Sequence, residues 1–217
     1  MSNTDSFIDE VTEEVQKDKL FGQLKRWGWV GGLAVLLLVG GAAYNEWRKA
    51  NERQVAQEFG DQLIASLDGD DTTAALAGLK VDDAAQSAVL GHLSAAAALA
   101  DGDTDAGIAA LEGVQNNASV AAVYRELAAF KAALALPPET DSAEKISAFE
   151  AITGPFRPLA QEQKAMVMIQ SGDTEGATDL LRTLLEAADA TPGLQRRASE
   201  MIVALGADIS DTDADDG

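Results

Sequence analysis

The sequence contains no cysteine, a single histidine and few aromatic residues. Without cysteine, the chain can form no disulfide, thiolate metal site, iron–sulfur cluster or cysteine nucleophile. Because His92 is the only histidine, a metal site built on several histidines is excluded. The chain has 16 lysine and arginine residues against 36 aspartate and glutamate residues. This shortage of positive charge argues against a nucleic-acid partner, since phosphate binding needs a basic surface.

Motifs for nucleotide binding and nucleophilic catalysis are also missing. The sequence has no Walker motif, no GxGxxG and no GxSxG nucleophile elbow. A serine–histidine–aspartate triad would have to use His92, which lies in the helical stretch AQSAVLGHLSAAAALA. We interpret His92 as a packed or surface histidine of a helix. The sequence therefore predicts no enzymatic activity, no catalytic residue, no metal site and no cofactor.

One stretch near the N-terminus is long and uncharged: WGWVGGLAVLLLVGGAAY, residues 27–44. A helix over residues 27–47 is about 30 Å long, which matches the hydrocarbon core of a bilayer. Aromatic residues stand at both ends of this segment, as a membrane interface favours. We predict a transmembrane helix over residues 27–47, with interface residues Trp27, Trp29, Tyr44 and Trp47.

A cleaved signal peptide is the alternative for this stretch. Gly41, Ala42 and Ala43 have the small-residue spacing of a cleavage site. However, residues 1–26 form a long leading region with six acidic residues, whereas signal peptides begin with a short basic region. We therefore predict a permanent anchor. Four basic residues precede the anchor and three follow it. This excess on the N-terminal side favours a cytoplasmic N-terminus and an extracytoplasmic C-terminal domain.

Residues 1–26 are predicted to form a cytoplasmic amphipathic tail, with Phe7, Ile8, Val11 and Val15 at helical spacing. Such a helix can lie on the inner leaflet or dock a cytoplasmic partner. Within the anchor, Gly28 and Gly32 form a GxxxG pattern, a possible helix-pairing face because small residues let another helix approach closely.

Residues 48–206 are alanine-rich, and three of their Gly-Asp dipeptides begin at positions 69, 102 and 172. The separations of 33 and 70 residues indicate a period near 34 or 35, typical of tetratricopeptide-like helix–turn–helix repeats. In such turns glycine takes the left-handed conformation, and aspartate or threonine caps the next helix. Near position 137, Pro137-Pro138 replaces Gly-Asp. The predicted fold is all-α: an amphipathic helix and a transmembrane helix, then a tetratricopeptide-like helical array.

Charge is concentrated beyond the anchor. Residues 54–217 hold 28 acids and nine bases, a net charge of −19. This charge indicates a solvated surface or one that selects partners by charge. The end of the chain, residues 207–217, is acidic with little apolar pattern and is predicted to be a disordered tail.

One acidic segment resembles a calcium loop. Asp101, Asp103, Asp105 and Glu112 fall at positions 1, 3, 5 and 12 of the EF-hand pattern. Position 6 requires glycine for the sharp turn, but this sequence has Ala106 there. The segment also fits the repeat turn, so we interpret it as a turn.

The combination of the tail FIDEVTEEVQKDKLFGQLKRWGW, one anchor and an alanine-rich domain with degenerate repeats resembles the bacterial ancillary subunits of the Sec translocon. The resemblance implies an inner-membrane protein with a cytoplasmic N-terminus and a periplasmic domain. It also implies association with the Sec channel, exported chains and periplasmic chaperones, including a membrane-anchored prolyl isomerase. Two alternatives remain open: a scaffold subunit of another envelope complex (cell-division or respiratory), and a periplasmic acid-dependent hydrolase or calcium-binding protein.

Overall fold

The structure is a computed structural model that describes the backbone of residues 3–208 and the side chains of residues 29–208. Over these residues the chain is all-helical and has no strand, which confirms the predicted all-α fold. The chain divides into two compact units, Met1–Gly60 and Asp61–Gly217. The predicted acidic tail falls largely on residues 209–217, which lie outside the described residues.

The described residues form nine α-helices and one short 3₁₀ turn. The helices are α1 (Asn3–Leu67), α2 (Thr72–Ala77), α3 (Ala84–Ala100), α4 (Thr104–Gln115), α5 (Ala122–Leu134), α6 (Ser142–Glu150), α7 (Arg157–Gln170), α8 (Thr174–Glu186) and α9 (Pro192–Ala204). The 3₁₀ turn, Gly154–Phe156, immediately precedes α7. Helix α1 continues without a break through the predicted anchor.

The turns at 102 and 172 have the predicted geometry. Gly102 and Gly172 adopt φ values of +83° and +90°, the left-handed conformation that ends α3 and α7. The side chain of Asp103 then accepts a hydrogen bond from the amide of Ala106, and that of Asp173 accepts one from the amide of Gly176. Both bonds are 3.0 Å long and satisfy a free amide at the helix start.

The Gly-Asp site at position 69 differs from those at 102 and 172. Gly69 is not among the glycines with positive φ, and the cap of α2 is Asp71 rather than Asp70. The left-handed turn that the period predicts is therefore absent at Gly69. At the proline site, α5 ends at Leu134 and α6 begins at Ser142 after the cap Asp141, so a turn replaces Gly-Asp there as predicted.

A repeat of 70 residues organises the second unit. Helices α7, α8 and α9 follow α3, α4 and α5 at this interval: α8 begins 70 residues after α4, and α9 begins 70 residues after α5. The caps Asp71 and Asp141 of α2 and α6 are also 70 residues apart. Core positions repeat with the helices, and the almost fully buried pairs are Ala95 and Ala165, Leu111 and Leu181, and Ala128 and Ala198.

Each repeat has its own apolar core. In the first repeat, α3, α4 and α5 bury a cluster that includes Ala95, Leu111 and Ala128. In the second, α7, α8 and α9 bury a larger cluster that includes Leu181, Leu184 and Ile202. A third cluster, built around Phe130 and Phe149, lies between these two along the chain. The small residues let the helices pack closely, so the scarcity of aromatic residues is compatible with well-packed cores.

Candidate interaction surfaces

The predicted anchor exposes its apolar side chains. Leu36, Leu37 and Leu38 are 69–74% exposed, and the helix from Trp29 onward is long and apolar enough to cross a membrane. None of its most apolar window is buried in the protein. Leaving several leucines in water is unfavourable by roughly 1.5–3 kcal/mol for each side chain. An apolar surface of this size is typical of a segment that meets a lipid or protein partner.

Three of the four predicted interface residues have described side chains, and all three are exposed on α1. Trp29 is 69% exposed at one end of the segment, and Tyr44 and Trp47 are each 64% exposed at the other. The rings of Tyr44 and Trp47 lie 6.0 Å apart in a tilted pair. Trp27 lies outside the residues whose side chains are described. Beyond the segment, Arg48 pairs with Glu52 at 3.4 Å on the helix surface.

The predicted helix-pairing face is open at the position that can be described. A Cβ atom built on Gly32 would meet no atom within 4 Å, so no described residue covers this position. The side-chain surroundings of Gly28 lie outside the described residues. Pairing through Gly28 and Gly32 stays a prediction.

A groove in the second unit lies between α4, α5 and α6, and we call it the α4–α6 groove. It has a volume of 260 Å³ and is lined mainly by apolar side chains, with Glu112 as its one charged residue. The apolar lining includes Ile108, Ala129, Ala132, Leu136, Ala148 and Ile152. The sequence analysis did not identify these residues. A comparison of positions 70 residues apart distinguishes Ile108 and Ala129, which stand where the second repeat has Thr178 and Ser199, but it does not reveal the groove itself.

The second repeat has a cleft at the matching place, and we call it the α8–α9 cleft. It has a volume of 280 Å³, and its lining includes Thr174, Thr178, Asp179 and Arg182. Arg182 stands 70 residues after Glu112, and its guanidinium donates a hydrogen bond of 3.0 Å to the carbonyl oxygen of Asp208. The two surfaces therefore share a place in the repeat but differ in chemistry: the first is mainly apolar, and the second combines charged and hydroxyl side chains with Leu205 and Ala207.

In the segment that resembles a calcium loop, two carboxylates accept hydrogen bonds from other residues of the protein. Asp101 accepts a hydrogen bond of 2.7 Å from the hydroxyl of Thr73, and Asp103 caps α4. Among the residues that the structure describes, no three histidine, aspartate or glutamate side chains form a group that could hold a metal ion. Asp101 and Asp103 therefore each make a hydrogen bond within the fold.

His92 lies at the contact between α3 and α5. Its Nε2 donates a hydrogen bond of 3.3 Å to the carbonyl oxygen of Tyr124 in the tautomer that this contact requires. Its Nδ1 is buried and makes no hydrogen bond. Burial lowers the pKa of His92, the positive charge of Lys131 lowers it further, and the bond to Tyr124 opposes both effects. The environment therefore favours a neutral imidazole.

Glu162 is the acidic residue buried most completely in the described part of the chain. Its two carboxylate oxygens accept hydrogen bonds from Nε and Nη2 of Arg197, at 2.6 and 2.8 Å. This bidentate pair joins α7 to α9, and the bond to Glu162 raises the pKa of Arg197. The carboxylate is therefore held in a structural ion pair rather than presented to solvent.

Comparisons with known proteins returned no relative. The chain matches no protein-family model, no curated protein and no solved structure. Function therefore has to be inferred from the residues and geometry of this chain.

Proposed function

We propose that this chain is a membrane-anchored protein-interaction module of the Sec translocon, which links emerging exported chains to periplasmic chaperones. The observation that carries the proposal is the combination, in one chain, of an apolar helical segment whose side chains are exposed and a helical array with an open apolar groove. An anchor holds the array at the membrane, where a chain leaving a channel would meet it at high effective concentration.

We propose that the array is tetratricopeptide-like. Helices α3 and α4 pack as neighbours across a Gly-Asp turn, and so do α7 and α8. Repeats of this kind present extended surfaces that hold peptides or partner helices without chemistry. In the proposed topology, the N-terminus lies in the cytoplasm and the array in the periplasm. This orientation is based on the basic residues that precede the anchor.

Photo-crosslinking in native bacterial membranes tests the partner. A photoreactive residue replaces Gly32, whose surroundings are open, and another replaces Ala106, which is exposed on α4. We expect adducts with translocon subunits from position 32 and with exported chains or chaperones from position 106. Adducts only with cell-division or respiratory subunits would keep an anchored scaffold but overturn the translocon assignment.

The absence of cysteine offers a direct test of orientation. Single substitutions Ser6→Cys and Gly113→Cys place one thiol on each side of the anchor in an otherwise thiol-free chain. In intact cells, a membrane-impermeant maleimide that enters the periplasm should label the thiol at 113 and leave the thiol at 6 unlabelled. The reverse pattern would overturn the proposed orientation, and full-length mass on a gel would show that the anchor is retained.

A further inference from the structure

We propose that the α4–α6 groove binds a cationic segment of another protein through its aliphatic side chains. This inference rests on the proposed function and names the chemistry of the partner. The groove offers an apolar floor, whereas the helices that form it carry more acidic than basic residues. The apolar floor would contact the aliphatic side chains of the ligand, and the acidic residues would attract its positive charges.

The size and lining of the groove favour binding of a partner protein's side chains over binding of a small molecule. Pockets for drug-sized ligands have volumes of about 300–1,000 Å³ and several converging polar groups. The α4–α6 groove has 260 Å³ and one charged residue, Glu112. Ile152 and Ala133 at its base are each 7% exposed, whereas Ile108 and Ala129 remain partly accessible. Alanines along α5 and α6 leave room for inserted aliphatic groups.

The net negative charge of the helices around the groove favours a ligand with positively charged residues. Residues 104–150, which contain the three helices of the groove, hold seven acids and three bases. A segment with lysine or arginine beside its aliphatic residues is attracted to this surface, and an acidic segment is repelled. A second copy of this chain is disfavoured as the occupant for the same reason, because each copy has a net charge of −20.

The second repeat supplies an internal comparison. At the place of Ile108 and Glu112 it has Thr178 and Arg182, and its cleft has more polar side chains in its lining than the α4–α6 groove has. The core residues that hold the helices are closely similar at the same interval, as Leu111 and Leu181 show. The helix arrangement therefore does not require an apolar lining at this place, and the apolar lining belongs to one repeat alone.

Peptide binding to the full chain in nanodiscs of zwitterionic lipid tests the inference. The probe is a fluorescent peptide with leucine and alanine on one helical face and lysine on the other, and the matched probe has glutamate for lysine. We expect the lysine peptide to bind, with affinity that falls as salt rises, and the glutamate peptide not to bind. Equal binding of both peptides would overturn the charge argument.

The variant Ile108→Thr/Ala129→Ser gives the groove the residues that the second repeat has at the matching positions, Thr178 and Ser199. Because these residues already occur in the same helix arrangement, the variant should fold with unchanged helical content. We expect its affinity for the lysine peptide to fall about tenfold, as the loss of one or two buried methyl groups predicts. The matched control, Ser199→Ala, should bind as the parent does.

A photoreactive residue at position 129 should label the lysine peptide, and one at position 199 should not. Equal labelling at both positions, or an unchanged affinity of the double variant, would overturn the groove as the site. Adducts of the Gly32 probe with translocon subunits do not depend on the groove. If these adducts persist while groove binding fails, the partner-site inference is wrong and the proposed function stands.

Discussion

Removal of Arg197 should destabilise the second unit more than removal of the adjacent Arg196. Arg197 compensates the carboxylate of Glu162, whose side chain is 7% exposed, through two hydrogen bonds. Arg196 has a side chain that is 75% exposed and makes an i,i+4 contact of 3.7 Å with Glu200. The two arginines are neighbours on α9, so Arg196→Met is a matched control for Arg197→Met.

The expected magnitudes follow from burial. Breaking a fully buried pair by removing one partner costs about 3–5 kcal/mol, because the remaining charge is uncompensated. Here the side chain of Arg197 is 47% exposed and water can reach the vacated place, so we expect roughly 2–3 kcal/mol for Arg197→Met. Arg196→Met should cost about 0–0.5 kcal/mol, as exposed i,i+4 pairs do.

The double variant Glu162→Leu/Arg197→Met separates charge compensation from packing. It removes the buried carboxylate together with its partner, and such replacements are often nearly neutral. We expect it to regain most of the stability lost in Arg197→Met, which gives a coupling energy of about 2 kcal/mol between the two sites.

Urea unfolding of the full chain in non-ionic detergent, followed by circular dichroism at 222 nm, measures these differences. All three tryptophans lie in or beside the anchor, so helical signal rather than tryptophan fluorescence reports on the array. Equal losses in Arg196→Met and Arg197→Met would refute the reasoning. A double variant as unstable as Arg197→Met would also refute it, since the loss would then arise from packing.

Three further predictions concern other parts of the chain. Gly113→Ala should stabilise α4 by about 0.5–1 kcal/mol in urea unfolding because a Cβ there meets no neighbour, whereas Gly91→Ala should destabilise because its Cβ would lie 2.3 Å from a methyl group of Val114. His92 has a lowered pKa in the folded state, so the unfolded chain binds the proton first as pH falls below about 6.5, and folding stability decreases in that range. His92→Gln should reduce the loss of unfolding free energy between pH 7.5 and pH 5.5, and an unchanged loss would contradict the assignment. Leu37→Arg should move the protein out of the membrane fraction, since arginine at the centre of a span costs about 2.5–3.5 kcal/mol, whereas Val55→Arg, at an exposed position of the same helix beyond the anchor, should not.

Local features of the fold were predictable from the sequence. Left-handed glycines at 102 and 172, aspartate caps after them and the turn at Pro137-Pro138 all follow from short-range conformational preferences. The same preference failed at Gly69, because Asp71 caps the short helix α2 and the chain needs no left-handed residue there. A dipeptide alone does not determine which residue becomes the cap.

The α4–α6 groove could not be predicted in the same way. Ile108 and Ala132 are ordinary apolar residues of amphipathic helices, and nothing in their local pattern distinguishes them from core residues such as Leu111. Their accessibility depends on how far α6 stands from α4 across α5, which is a property of tertiary packing. The predicted pairing face at Gly28 and Gly32 differs from the groove in this respect. The GxxxG pattern is visible in the sequence, but the sequence does not identify the helix that would pair with it.

The 70-residue repeat explains how one architecture carries two different surfaces. Residues that hold the helices together, such as Leu111 and Leu181, are fully buried in both repeats, so a change at either position costs stability. Ile108 is partly exposed and contributes less to the core, so its counterpart can be Thr178 without loss of the fold. In the second repeat this position holds a buried polar residue, Thr178, whose hydroxyl donates a hydrogen bond to the carbonyl oxygen of Thr174. In the first repeat it holds a partly exposed aliphatic residue beside small alanines, which is better explained by contact with a partner than by folding. The same reasoning applies to the exposed leucines of the anchor, whose burial requires an environment that the described chain does not supply.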